Sequence, residues 1–491
     1  MKNKVHLITY ADRFGGGDIK SLHRMLNGPL AGLFGGVHIL PFYYPIHGAD
    51  AGFDPIDHNQ IDPCLGSWED IKILGQETDL MADLIVNHVS SSSPQFLDYS
   101  EKGDESIYKD MFLTMGSIFP SGATEGDLLN IYRPRPGLPF SYVTLKNKQK
   151  HLLWTTFSKQ QIDIDVMSLQ SRTYLQSVLQ TLHDNGIRMV RLDAIGYSVK
   201  KPGTSCFMIP ETFKFIEYLT QQAAALEIEV LVEIHSHFRR QIEIASQVDR
   251  VYDFALPPLV LHALFNHTGR YLKRWLAISP RNAVTVLDTH DGIGVIDIGA
   301  DGTAPKESTG LVPQEDLDAL VEEIHINSKG QSRLATGAAA SNLDLYQVNC
   351  TFYDALGRNS EDYLLARAIQ FFAPGVPQVY YVGLLAGEND MELLSKSGVG
   401  RDINRHFFTS DEIEKETHRP VVQSLFELIR FRNNHPAFSG TFSMPDTPDS
   451  KIILQWDNGN DWAKLEVDFT SSSYRISNSP IEIIEKKTAN I

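Results

Sequence analysis

Eight short apolar runs recur along the chain, each followed by a polar or glycine-containing turn, and amphipathic stretches separate many of them. Strands that alternate with helices in this way form a parallel sheet. Eight such units predict an α/β fold, the closed (β/α)8 or TIM barrel, which normally takes about 250 residues. The predicted strands cover residues 5–10, 36–42, 81–87, 187–193, 228–234, 250–256, 283–288 and 378–383.

The chain has 491 residues, so a barrel leaves much of it to form other domains. Two segments show long loops and are predicted to be insertion domains: residues 88–167 after the third strand and residues 292–357 after the seventh. Residues 436–491 alternate apolar and polar positions around an Asp-Asn-Gly-Asn turn, which predicts a small antiparallel C-terminal β domain. The barrel is then assigned to residues 1–87, 168–291 and 358–435.

Charge and cysteine content narrow the range of partners. The chain carries 44 Lys and Arg against 61 Asp and Glu, a formal charge of −17, with no basic stripe. Nucleic acid and anionic membranes are therefore poor candidates as partners. The N-terminus lacks the pattern of a signal peptide, and no apolar stretch reaches membrane-spanning length. Three widely spaced cysteines, Cys64, Cys206 and Cys350, predict neither a disulfide framework nor a zinc site, so a cytoplasmic location is expected.

Carboxylates follow three different predicted strands. Asp193, Glu233 and Asp291 come at the carboxyl ends of strands four, five and seven, where the chemistry of a barrel takes place. Cleavage of a glycosidic bond needs one carboxylate that attacks the sugar and a second that donates a proton. The alternation of side chains along a strand puts Arg191 on the same side as Asp193, where it can hold that carboxylate ionised. The pattern predicts sugar chemistry.

Other interpretations of the same residues remain open. A single acidic residue at a strand end is usually a helix cap or half of a surface ion pair. A metal site would use these side chains instead: His88, Asp193, His235, His237 and His290. Such a site would leave the guanidinium of Arg191 repelling the cation, so glycoside chemistry is favoured.

Four motifs resemble, in order, the conserved regions of the alpha-amylase superfamily of retaining glycosidases, glycoside hydrolase family 13. They are DLIVNH (83–88), RLDAIGY (191–197), VEIH (232–235) and DTHD (288–291). Further segments look like the sucrose phosphorylase family, among them GADAGFDP (48–55), YRPRPGLPF (132–140), GAAASNLDLYQVN (337–349) and PGVPQVYYVG (374–383). The likeness covers most of residues 5–435.

The resemblance implies a reaction and a role for each carboxylate. Sucrose and inorganic phosphate would be converted reversibly to alpha-D-glucose 1-phosphate and D-fructose. Asp193 would be the nucleophile that forms a covalent glucosyl ester, and Glu233 the general acid and base. Asp291 would stabilise the transition state through the sugar hydroxyls. The resemblance implies no metal ion and no organic cofactor, and it leaves a monomer and a homodimer both open.

Substrate-binding residues are also implied. The glucosyl ring would be held by Asp50, Phe53, His88, Arg191, His290 and Arg401. The acceptor would be bound by residues of the two insertions: Tyr132, Pro134, Arg135, Leu343, Asp344, Tyr346 and Gln347. Gln161, Tyr197 and His235 complete the predicted substrate-binding set. A loop shift would exchange a phosphate site lined by Arg135 with a fructose site lined by Asp344.

Three alternative functions remain. A related phosphorylase would act on sucrose 6'-phosphate, glucosylglycerol or glucosylglycerate by the same mechanism. A charged substrate would require a cationic residue in the two acceptor loops. This chain has Pro134 and Tyr346 there, which favours unmodified sucrose. An alpha-glucosidase-type hydrolase or transglucosidase would not require phosphate. A non-catalytic sugar-binding barrel is the third alternative, and the presence of all three carboxylates argues against it.

Overall fold

The computed structural model of the protein describes residues 1–48, 50–133, 137–300, 309–336, 347–480 and 482–486. Eight parallel strands close into a barrel in chain order, with the last hydrogen-bonded to the first. They are β1 (His6–Thr9), β2 (Gly36–Ile39), β3 (Asp79–Ile85), β4 (Met189–Asp193), β5 (Glu229–Val232), β6 (Arg250–Asp253), β7 (Ala283–Thr285) and β8 (Val376–Tyr380). The predicted barrel and all eight predicted strands are confirmed.

Apart from β3, which is as long as its predicted run but begins two residues earlier, the strands are shorter than the apolar runs that predicted them. β7 ends at Thr285, whereas the prediction extended it to Asp288. Val286 and Leu287 are still buried, so burial continues beyond the strand ladder. Asp288 is instead held by side-chain contacts, since its carboxylate accepts a hydrogen bond from Arg367 at 2.6 Å.

Helices surround the barrel, and most of them bury one apolar face, whereas Leu256–Phe265 and Ser360–Phe372 are buried on nearly all sides. They span Ile19–Asn27, Trp68–Glu77, Leu169–Asp184, Pro210–Ala224, Phe238–Ala245, Leu256–Phe265, Arg270–Ile278, Ser360–Phe372 and Pro420–Asn434. The helix Leu169–Asp184 illustrates the rule: Ser168 caps its start by accepting from the Ser171 amide, and its buried face is Leu175, Val178, Leu179 and Leu182. At the start of Trp68–Glu77, the Asp70 carboxylate accepts from the Ser67 amide, as the capping-box pattern predicts.

The segment after β3 forms two small antiparallel ladders. His88–Ser90 pairs with Gln161–Asp163, and Phe140–Thr144 pairs with Lys150–Trp154. Short helices lie at Pro94–Lys102, Met115–Ile118 and Glu125–Asn130. Leu113, Phe119, Ile131 and Trp154 pack with Cys206 in a separate apolar cluster.

The segment after β7 contains the predicted helix at Gln314–Asn327, whose buried face includes Leu317, Leu320 and Ile324. A second helix spans Gln331–Thr336, and Ile293–Gly294 pairs with Gln347–Val348. A short helix at Phe352–Ala355 ends this segment. After β8, further short helices lie at Tyr381–Leu384, Met391–Ser397 and Ser410–Thr417. The division of the chain into domains stays a prediction.

The chain ends in an antiparallel sheet of five strands, which agrees with the predicted C-terminal β structure. The strands are Thr441–Ser443, Lys451–Asn458, Asp461–Asp468, Ser473–Asn478 and Glu482–Lys486. Among the helices in the described ranges, none combines the length and apolar character that crossing a membrane requires.

Candidate active site

The carboxyl ends of β4 and β5 bring two carboxylates to one guanidinium. Asp193 is the last residue of β4, and Glu233 directly follows β5, its neighbour in the barrel. The Arg191 Nη1 atom lies 2.9 Å from the Asp193 Oδ1 atom, and its Nη2 atom lies 3.6 Å from the Glu233 Oε2 atom. The predicted placement of Arg191 beside Asp193 agrees with this geometry.

A buried network of charged side chains fixes the position of Arg191. Its guanidinium pairs with Asp83 on β3, which is fully buried. The other Asp83 oxygen lies 2.9 Å from the His38 Nε2 atom. Burial opposes ionisation of Asp83, but the charges of Arg191 and His38 outweigh it and lower the pKa of Asp83 to about 2. Asp83 therefore stays ionised and keeps Arg191 aimed at the site.

The two carboxylates share their electrostatic environment. Burial raises the pKa of Asp193 to about 8; the charge of Arg191 opposes this rise, and the charge of Glu233 adds to it. The pair therefore holds a proton near neutral pH. Arg191 contacts Asp193 more closely than Glu233, which favours the ionised carboxylate at Asp193.

The third carboxylate, Asp291, lies among cations. One oxygen of Asp291 lies 2.9 Å from Arg401 Nη1 and 3.9 Å from Arg405 Nη2. Burial works against its charge, but the guanidinium groups of Arg401 and Arg405 hold the pKa of Asp291 well below its ordinary value. Arg405 is buried and donates from Nε to the His290 carbonyl at 2.9 Å. Asp291 is thus an anion at neutral pH.

Aromatic and histidine side chains form a wall beside these carboxylates. The Phe53 ring stacks on His290, with centroids 5.0 Å apart and planes inclined by 11°. Burial holds the pKa of His290 well below its ordinary value, so this ring is neutral. His88 donates from Nε2 to the Phe53 carbonyl at 2.9 Å, and the Gln161 amide nitrogen lies 3.2 Å from the same ring nitrogen. Asp50 belongs to the same loop and accepts from the Phe53 amide through its carbonyl.

A second aromatic group contains two predicted residues, Tyr132 and Tyr197. Their rings stack with centroids 6.1 Å apart, and Phe207 lies against both. Phe157 contacts Tyr197 on one side and His88 on the other, so it joins this group to the first wall. Phe157 and Phe207 were not predicted.

His235 and Gln347 contact each other beside Glu233 and Asp291. One ring nitrogen of His235 and one oxygen each of Glu233 and Asp291 lie within 4.8 Å of one another. The Gln347 amide nitrogen lies 3.0 Å from His235 Nε2. These three ligand types could by themselves hold a cation, but Arg191 already pairs with Glu233 and Arg401 with Asp291, which argues against a bound cation.

Some predicted site residues lie outside the described residues: Pro134, Arg135, Leu343, Asp344 and Tyr346. The predicted loop exchange between Arg135 and Asp344 therefore stays a prediction.

Of the residues that sequence reasoning missed, Asp83 lies inside the DLIVNH motif and Arg405 in the turn that contains Arg401. Asp83 carried a signal, namely a charged residue in a motif already identified, whereas Arg405 was marked only by its closeness to the predicted Arg401.

Comparison with known proteins agrees with this geometry. The family described as alpha amylase, catalytic domain, matches residues 30–251. A sucrose phosphorylase of Agrobacterium vitis is 58% identical over 98% of this chain and 98% of its own length. A sucrose phosphorylase of Bifidobacterium adolescentis is 56% identical over 93% of this chain and 90% of its own. The crystal structure of sucrose 6F-phosphate phosphorylase from Thermoanaerobacter thermosaccharolyticum superposes with a TM-score of 0.89 at 38% identity, covering 99% of this chain and 98% of that one.

Proposed function

The chain belongs to the sucrose phosphorylase family of alpha-amylase-type barrels, and we infer from this that it catalyses the reversible phosphorolysis of sucrose. The products are alpha-D-glucose 1-phosphate and D-fructose. The observation that carries the mechanism is the single guanidinium of Arg191, which contacts Asp193 and Glu233 together. Such a carboxylate pair supports a double displacement with retention at the anomeric carbon.

The first displacement forms a covalent glucosyl-enzyme. An oxygen of Asp193 attacks the anomeric carbon of the glucosyl unit as the bond to the fructosyl oxygen breaks. Glu233 donates its proton to that oxygen, and fructose leaves. Asp291, an anion held by Arg401 and Arg405, faces the sugar and stabilises the positive charge that develops on the ring.

The second displacement transfers glucose to phosphate. A phosphate oxygen attacks the anomeric carbon, Glu233 takes up the acceptor proton, and the ester bond to Asp193 breaks. Two inversions at one carbon leave the alpha configuration unchanged. Phe53, stacked on His290, offers the apolar surface on which the sugar ring rests in both steps.

The product test separates this function from its competitors. Sucrose incubated with phosphate is expected to give alpha-D-glucose 1-phosphate and fructose, identified by NMR, whereas free glucose is a minor product. Free glucose as the main product in excess phosphate would contradict the proposal in favour of a hydrolase. Faster phosphorolysis of sucrose 6'-phosphate, glucosylglycerol or glucosylglycerate would assign the chain to a related phosphorylase instead.

The pH dependence of the first step follows from the proton that the Asp193–Glu233 pair holds. The raised pKa of Asp193, about 8, reflects one proton shared by the two carboxylates, and Arg191 favours the negative charge on Asp193. The pair loses this proton as the pH rises through that value, and the leaving oxygen then has no donor. We expect kcat/KM for sucrose to fall above about pH 8. Initial rates at low sucrose over about pH 6 to 10, a window of about two units either side of this pKa value, measure this limb. A flat profile across this range would contradict the shared proton.

A cytoplasmic location is also proposed. Cys64, Cys206 and Cys350 are all free thiols, which is compatible with a reducing compartment.

A further inference from the structure

Asp297 is a buried carboxylate that neither the sequence motifs nor the proposed mechanism uses. It lies just beyond the strand Ile293–Gly294, and its side chain is 1% exposed. One oxygen lies 2.9 Å from the His235 Nδ1 atom, and the other accepts from the Ser236 amide at 3.2 Å. A carboxylate in contact with Nδ1 keeps the proton on that nitrogen.

The His235 ring is also fixed on its other sides. Phe254 stacks against it with centroids 3.8 Å apart. The Gln347 side chain oxygen accepts from the Gly292 amide at 3.3 Å, so its NH2 group faces His235 Nε2 at 3.0 Å. Nε2 and the Gln347 amide therefore point into the same space, beside Glu233 and Asp291.

The backbone at Gly294 makes room for this contact. A Cβ atom at Gly294 would lie 2.4 Å from the Asp297 Oδ2 atom and 3.0 Å from the His235 Nδ1 atom. Any side chain at this position would push the carboxylate and the ring apart. The glycine in the Asp-Gly-Ile-Gly stretch after β7 thus permits the Asp297–His235 pair.

We propose that Asp297 is a positioning residue for the acceptor step: it holds the proton on His235 Nδ1 and favours a second proton on Nε2, so that Nε2, which accepts from the Gln347 amide while unprotonated, becomes a donor beside that amide for an oxygen of phosphate. The inference rests on the proposed function and deepens it. When Nε2 is protonated, both groups donate to the same oxygen, and the imidazolium supplies the positive charge that a phosphate dianion requires.

The charges around His235 support this role. Burial lowers the pKa of His235, but Asp297 outweighs it, and Glu233 and Asp291 add to the rise, so the net shift is upward. Phosphate must enter a space that already contains these carboxylates. Once Asp193 has become an ester its negative charge is lost, and a charged His235 then offsets the charge of the incoming acceptor.

The test replaces Asp297 by asparagine, which keeps an acceptor oxygen for Nδ1 and removes the charge. We expect Asp297→Asn to raise KM for phosphate about tenfold, with kcat/KM for sucrose within about twofold of the wild type. Phosphate binding requires a charged His235, so the phosphate-dependent rate falls as the pH rises through the pKa of His235. Without the negative charge of Asp297 this pKa is lower, and the fall is therefore expected at lower pH in the variant. Nitrogen-15 NMR of histidine-labelled enzyme, with the His235 signals assigned by their absence in His235→Gln, measures the same shift directly.

Asp354→Asn is the matched control, because Asp354 is also a buried carboxylate, and its hydrogen-bond partners, Arg358 Nε at 2.8 Å and the Asn389 amide at 2.6 Å, are distinct from those of His235. It is expected to leave KM for phosphate and the His235 titration unchanged. Gly294→Ala should reproduce the Asp297→Asn effect on KM for phosphate. An unchanged KM for phosphate and an unchanged His235 titration in Asp297→Asn would overturn the inference, whereas a wild-type protein that forms no glucose 1-phosphate would overturn the proposed function itself.

Discussion

Replacing Asp193 by alanine is expected to lower kcat for sucrose by at least about 10⁴-fold, which corresponds to about 5.5 kcal/mol of lost transition-state stabilisation. The reason is that no other carboxylate can replace it: Glu233 is assigned to the leaving oxygen, and Asp291 is held by Arg401 and Arg405. Fructose release measured by a coupled assay, in the presence of phosphate, gives the rate.

The missing nucleophile can be supplied from solution. Alanine leaves space at the Asp193 position, and a small anion such as azide can attack the anomeric carbon from the same face while Glu233 still protonates fructose. We expect azide to restore fructose release by Asp193→Ala and to yield beta-glucosyl azide, the inverted product. Glu233→Ala is the contrasting variant, in which azide should give no inverted product. Wild-type turnover by Asp193→Ala without azide would rule out this carboxylate as the nucleophile.

The barrel and the three carboxylates could be predicted from the sequence because both depend on local patterns. Each barrel strand is a short apolar run, and Asp193 and Glu233 stand directly where β4 and β5 end. The predicted ends of the strands were less accurate because Val286 and Leu287 are buried without belonging to the ladder of β7. In the sequence, an apolar residue that is buried just outside a strand cannot be distinguished from one that is paired within it.

Residues that position another side chain, and do not themselves belong to the predicted site, could not be predicted in the same way. Asp83, Arg405 and Asp297 each contact a residue distant in sequence, and nothing in the chain near them indicates which partner they will have. Arg405 illustrates the difficulty: it follows Arg401 closely, yet its guanidinium faces the His290 carbonyl rather than solvent. Only the folded arrangement distinguishes it from an exposed arginine.

A buried ion pair joins the segment after β3 to the barrel beside the candidate site. The Lys200 Nζ atom lies 2.6 Å from the Asp163 Oδ2 atom and 2.7 Å from the Asn87 Oδ1 atom, and the Lys200 and Asp163 side chains are 1% and 0% exposed. Asp163 also accepts from the Thr156 amide and pairs in the ladder with His88. This pair therefore sets where His88 stands relative to the barrel.

Lys200→Met is expected to destabilise the protein by about 3–5 kcal/mol, because it leaves the carboxylate of Asp163 buried without its cation. The adjacent Lys201 provides a matched control: its partner is Glu211, both side chains are partly exposed, and Lys201→Met should leave the stability close to that of the wild type. Urea unfolding followed by fluorescence measures the change, and hydrogen exchange of residues 88–167 shows whether this segment loosens first. Equal stability of the two variants would mean that the Lys200–Asp163 pair does not hold the segment to the barrel.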